Sequence, residues 1–226
     1  MKNIVTIAVL SGFISIGAHA DVTVTIDQSA MNFGWMNVSE LPVNGGGFVF
    51  GSSWGVSDLS ASFDTSGSVV TMIPNSVDDP DPFWYIGGGG PGAAGNKIMG
   101  ANLFANVTGT FAGQTVTFEG NVLSNTLTSD HEVVAFIRDF VPDYSWYIES
   151  TVPLSSLGEF SVSMATINDP ARHVQFGIEM TGVNVWVTDL DPFGSIVIAA
   201  IPEPATLSMI GLVTGGIYFS RRFFIA

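Results

Sequence analysis

The chain has no cysteine. That excludes disulfides, thiolate metal sites and a cysteine nucleophile. Basic residues are almost as scarce: 6 Lys and Arg stand against 20 Asp and Glu, for a formal charge of −14. Lys2, Arg221 and Arg222 sit at the extremes, and only Lys97, Arg138 and Arg172 lie among the acids, which run from Asp21 to Glu203. Nothing here neutralises a row of phosphates, so nucleic acid is excluded as a partner. The same charge repels anionic membrane surfaces and offers carboxylates to divalent cations. Charged residues make up 12% of the chain and apolar ones 46%, which is too apolar for disorder. The 26 Gly and 11 Pro follow no collagen period. A length of 226 residues fits one domain with short flanking segments, not two full-size domains.

Residues 1–20 read as a secretory signal peptide. Lys2 supplies a positive start, Ile4 to Ile16 an apolar run, and Ala18-His19-Ala20 the small-x-small pattern that signal peptidase cleaves. A retained signal anchor is the alternative, but the apolar run is short for a membrane span. Export without disulfides requires a body that is stable by packing alone, and residues 21–200 are long enough for that.

Residues 201–226 open with Ile201-Pro202-Glu203-Pro204, continue through the apolar and small-residue stretch Ala205–Ser220, and reach Arg221-Arg222. As a helix, Ala205–Ser220 would be about 24 Å long at 1.5 Å per residue, against a bilayer core of about 30 Å. Phe223, Phe224 and Ile225 extend it if the arginines snorkel. Arg221 and Arg222 stop the segment on the cytoplasmic side and leave the body outside. The prolines keep the backbone before the helix extended, and Glu203 lies where a helix N-terminus favours an anion. This tail resembles the PEP-CTERM sorting signal, on Pro202-Glu203-Pro204, Ala205-Thr206-Leu207, the glycines Gly211, Gly215 and Gly216, and Arg221-Arg222. Unlike most tails of that family, it runs on from Phe223 to Ala226. The resemblance implies a Gram-negative bacterium that makes exopolysaccharide, and processing by the membrane enzyme exosortase. It implies an intermediate held in the inner membrane by the C-terminal helix, then delivery to the cell surface or extracellular matrix. A plain proline-capped C-terminal anchor is the alternative.

The body alternates with period two. Val22, Val24 and Ile26; Val116, Phe118, Gly120 and Val122; Phe160, Val162 and Met164; Val174, Phe176, Ile178 and Met180; and Ile196 and Ile198 each mark a half-buried strand, and Val183, Val185 and Val187 continue the pattern. Turn clusters such as Asn44-Gly45-Gly46-Gly47 and Asn168-Asp169-Pro170 separate such runs. The expectation is an all-β, antiparallel two-sheet β-sandwich of the jelly-roll kind, flanked by an N-terminal signal helix and a C-terminal transmembrane helix. The stretch from Lys97 to Arg138, with Thr110–Val122 and Val133–Ile137, resembles the middle of carbohydrate-binding-module and galactose-binding-like jelly rolls. That resemblance implies a surface or matrix protein that is structural or adhesive and contacts an extracellular polysaccharide.

The candidate chemistry is sparse. Asp78, Asp79 and Asp81, stiffened by Pro80 and Pro82, form a candidate calcium site, with a solvated acidic loop as the alternative. Trp84 follows, between that turn and the glycine-rich Gly87–Gly95. It is the candidate carbohydrate platform, with burial in the core as the usual fate of such a side chain. Gly87–Gly95 lacks the Lys-Ser/Thr and helix of a phosphate loop and reads as a flexible surface loop. His131 and His173 have no companion motif, so no catalytic residue and no cofactor other than calcium is expected. The rival class is a secreted carbohydrate-active enzyme, a glycosidase or lyase, whose carboxylate pair would be invisible in sequence.

Overall fold

The structure is a computed structural model that describes residues 21–201. The predicted signal helix, its cleavage site at Ala18 and Ala20, and the Pro202–Arg222 tail lie outside the described residues. Among the described residues no helix is long and apolar enough to cross a membrane.

Two six-stranded sheets pack face to face. The first contains β1 (Asp21–Val24), β4 (Ala61–Phe63), β5 (Val69–Met72), β7 (Thr115–Asn125), β10 (Gly158–Ala165) and β12 (Ile196–Ala199). The second runs in the order β3 (Phe48–Ser53), β2 (Phe33–Glu40), β6 (Lys97–Thr108), β11 (His173–Val183), β8 (His131–Phe140) and β9 (Tyr147–Pro153). All strand pairs are antiparallel except β1 with β7, which is parallel. The all-β two-sheet expectation holds, and strand makes up 51% of the described residues.

The alternation read from sequence is the alternation of burial. On β7, Val116, Phe118, Gly120 and Val122 face inward; on β10, Phe160, Val162 and Met164 do. The Phe160 ring fills the notch that Gly120 leaves, since a Cβ there would come within 2.8 Å of it. Phe118 of the first sheet meets Phe176 of the second at 5.6 Å between ring centres, which joins the two layers. Losing so large a side chain from a closed core costs about 3–5 kcal/mol.

One charged pair is wholly buried. Arg172 Nε donates to Asp139 Oδ1 at 2.7 Å, and Ile167 N donates to Asp139 Oδ2 at 2.8 Å. Asp139 thus ties the connection between β10 and β11 to β8, with every charge on it answered.

Two local expectations differ. β11 ends at Val183, so Val185 and Val187 do not continue the strand. Asn184 diverts the chain: its Oδ1 accepts from Asn96 N and Lys97 N, and its Nδ2 donates to Trp84 O. Gly87–Gly95 is a surface loop, open at Gly87, Gly90 and Gly92 but anchored at three points. A Cβ on Gly95 would lie 2.0 Å from Asn184 O, one on Gly89 would lie 2.4 Å from the Trp186 ring, and Gly92 N donates to Asp189 Oδ2 at 2.6 Å. Both sheets and the whole core cluster lie within residues 21–199, so this span carries its own folding determinants.

Candidate functional site

The two outward faces differ in chemistry. On the first sheet the outward side chains of the β7–β10 pair carry no aromatic ring and are mostly polar, from the Thr117 Oγ1–Ser163 Oγ contact of 2.8 Å to Glu119, Asn121 and Glu159. On the second sheet the outward rows carry aromatic rings, amides and charges. Register fixes the rows: Trp35 lies beside Asn102 and Asn102 beside Glu179, while Asn106 lies beside Gln175, Gln175 beside Arg138 and Arg138 beside Glu149.

Trp35 is the broadest element of this face. It alternates outward from the buried Gly34 and Met36 and is 41% exposed. Its indole lies across β3 at Gly51, where a Cβ would come within 2.8 Å of Nε1 and 3.1 Å of the ring. The indole Nε1 donates to Asn37 Oδ1 at 2.9 Å. The ring is therefore pinned flat before any ligand arrives, and its ordering costs are already met by the fold.

Arg138 organises the centre. Its Nη1 donates to Asn102 Oδ1 at 2.6 Å, its Nη2 to Glu179 Oε2 at 2.5 Å and its Nε to Glu149 Oε1 at 2.6 Å. The guanidinium also covers the Phe136 ring at 3.9 Å. Burial works against its charge, but Glu179 and Glu149 outweigh that and hold it above its usual range. Glycine makes room on either flank: a Cβ on Gly100 would meet Glu179 Oε1 at 3.0 Å, and one on Gly177 would meet Phe104 at 2.7 Å.

The far end is aromatic again. Tyr147 on β9 is 43% exposed, with its ring 4.6 Å from that of Phe140. Tyr144, held at φ 58° in the β8–β9 turn, stacks on His173 with ring centres 4.4 Å apart, and its hydroxyl accepts from Asn106 Nδ2. From Trp35 on β2 to Tyr147 on β9 the face crosses four strand spacings, about 19 Å. Flat ring faces take the C–H faces of a sugar, and fixed amides, guanidinium and carboxylates take its hydroxyls.

The sequence-derived candidates fall elsewhere. Trp84 is half-buried against the core, with its ring T-shaped to those of Phe50 at 6.2 Å and Phe83 at 4.8 Å. Its neighbours close over it because the loop returns to the sheet through Asn184. Asp78, Asp79 and Asp81 are exposed. Asp79 Oδ1 accepts from Asp81 N and Asp81 Oδ1 from Phe83 N, so two of the three carboxylates shape their own turn. Among the described residues no group of three or more His, Asp or Glu is gathered to hold a metal ion.

A cavity of about 910 Å³ lies between Gly92–Gly95, Val183–Val185 and the Thr188 to Phe193 turn, with Asp130, Asp189 and Asp191 on its walls. No histidine lines it, and its one hydroxyl–carboxylate contact is Thr188 Oγ1 donating to the adjacent Asp189 Oδ1 at 3.0 Å. Gly51-Ser52-Ser53-Trp54-Gly55 matches Gly-x-Ser-x-Gly, but Ser53 closes an edge strand and its Oγ faces Gly34 O. Neither histidine joins it: His131 Nε2 bonds Val183 O and His173 Nδ1 bonds Thr108 Oγ1. A nucleophile elbow needs a strand-to-helix turn and a histidine partner.

No protein-family model matches the chain, and no curated protein matches it. Two solved structures resemble it. One is described among the carbohydrate-binding modules of the β-sandwich superfamily, with promiscuous specificity: 12% identity, TM-score 0.34, over 70% of this chain and 67% of that one. The other is the CBM22-2 xylan-binding domain from Paenibacillus barcinonensis Xyn10C: 8% identity, TM-score 0.24, over 48% of this chain and 78% of that one. Overlap of this extent leaves the function to the chain's own geometry.

Proposed function

We propose that the body binds a neutral polysaccharide across the outward face of the second sheet, with Trp35 as the stacking platform. The observation that carries this is the Trp35 ring, exposed yet pinned by Asn37 over the bare backbone of Gly51. Asn106, Glu149, Glu179 and Arg138 supply donors and acceptors on the same face, and the buried Asn102 holds the Arg138 guanidinium in place. Glu149 and Glu179 outnumber Arg138, so an anionic polymer is repelled. Native affinity electrophoresis of residues 21–200 in gels cast with neutral and with acidic polysaccharides tests the reading. Retardation by at least one neutral polymer, and by no acidic one, is the expected outcome.

Export places such a binder where polysaccharide is. In this reading signal peptidase cleaves after Ala20, and exosortase acts at Pro202-Glu203-Pro204 while the C-terminal helix and Arg221-Arg222 hold the chain in the inner membrane. The protein then works at the cell surface or in the extracellular matrix. Replacing Pro202-Glu203-Pro204 by three alanines lets a helix extend toward the body and removes the extended segment. That variant should accumulate, tail intact, in the inner membrane. Normal release or display of it contradicts the sorting reading.

A further inference from the structure

Open strand edges invite pairing with other chains, and folded proteins blunt them with charge, proline or short length. Most open edges here are blunted. β1 starts on Asp21, β9 carries Glu149 and ends on Pro153, and β10 carries Glu159. β4 is 3 residues long and runs into Asp64. β3 carries neither charge nor proline, and its one irregularity is a β-bulge at Val49 in its pairing with β2. It pairs with β2 on one side, and no strand among the described residues lies on its other side. From Leu41 to Ser57 the chain carries no charge, in a molecule with 20 acids. Val43, Phe48 and Val49 along this stretch are 86%, 67% and 38% exposed.

We propose that β3 is the contact through which the body pairs with a second copy of itself, edge to edge and antiparallel. The charge pattern selects that occupant. A second copy is as acidic as the first, and pairing at β1, β9 or β10 would set the acids of one copy against those of the other. Pairing β3 with β3 brings together Phe48 and Val49 of both copies and no charge at all, a self-complementary two-fold contact. The free N–H and C=O groups of each edge find partners in the other. The buried area falls below the ~1,000 Å² of a permanent interface, so the association is weak and concentration-dependent.

A two-fold axis normal to the sheet keeps both outward faces on one side. The two Trp35 rings then sit about three strand spacings apart, ~14 Å, and one polymer chain can engage both. This consequence rests on the polysaccharide reading; the pairing itself does not.

Sedimentation velocity of residues 21–200, without sugar, over low to high micromolar protein tests the pairing directly. A monomer–dimer equilibrium is expected, strengthened by added salt because screening removes repulsion between two acidic bodies. Phe48→Lys and Val49→Lys, each checked for an unchanged melting temperature, should raise the midpoint concentration about tenfold or more. Leu157→Lys, equally exposed but outside β3, should not. If one β3 variant fails to fold, the other decides. A monomer at every concentration and salt overturns the proposal, as does a dimer that survives the β3 variants. Because no sugar is present, failure here leaves the polysaccharide reading standing, and the reverse also holds.

Discussion

Arg138 on β8 donates to Asn102 on β6 across the whole width of β11, at 2.6 Å. That reach lays the guanidinium flat on the sheet, where it also holds Glu149 and Glu179. Arg138→Ala should destabilise the body by about 2–3 kcal/mol, because hydrogen bonds to a charged group are lost and two carboxylates are left facing each other. Urea denaturation measures it. Adding Glu179→Gln to Arg138→Ala should recover part of the loss, so the double variant is less destabilised than the sum of the two single changes. Arg138→Lys keeps the charge but loses the fork, and should weaken sugar binding while retaining most stability.

The histidine of β8 sets a lower pH limit. His131 is buried; its Nε2 donates to the Val183 carbonyl at 3.0 Å, its ring meets Phe193, and Nδ1 has no partner. Burial holds its pKa below the ordinary 6.5. The unfolded chain therefore takes up this proton first as pH falls. The stability that His131 provides is complete above 6.5 and is lost as pH drops through the folded value. The melting temperature should fall between pH 7 and pH 5. His131→Gln should flatten that slope, and an unchanged slope in this variant assigns the effect to another group.

Much of the frame was legible in sequence where one face of a strand is polar. β7, β10 and β11 alternate cleanly because their inward residues are apolar and most of their outward ones are not. β2 escapes the same test. Its outward positions are Phe33, Trp35 and Asn37 and its inward ones Gly34, Met36 and Val38, so both phases are apolar and no period of two stands out. The ring that makes the face useful is the ring that hides the strand. The Arg138 cluster escapes for another reason. Asn102, Arg138, Glu149 and Glu179 lie on four strands, and only register brings them together. The neighbouring turn residues alone do not fix where Trp84 lies. The loop's return to the core depends on Asn184, a hundred residues away.

The acidic turn needs no metal to hold its shape. Asp79 and Asp81 cap backbone N–H groups at 3.0 Å and 2.7 Å. A calcium ion bound only by the folded state at a hundredfold over its dissociation constant would add about 2.7 kcal/mol. Thermal melting of residues 21–200 in calcium and in chelator should therefore coincide. A clear drop in chelator restores Asp78, Asp79 and Asp81 as a cation site.

The most direct measurement is the affinity of Trp35→Ala for a neutral polysaccharide that retards the parent body, set beside its melting temperature. At 41% exposure Trp35 contributes little to the core, so the melting temperature should change by no more than a few degrees. Affinity should fall at least about tenfold, which is about 1.4 kcal/mol. Trp84→Ala should do the opposite, lowering stability because that ring packs on the core. Undiminished binding by a folded Trp35→Ala body, or a parent that binds no neutral polysaccharide, contradicts the assignment of this face.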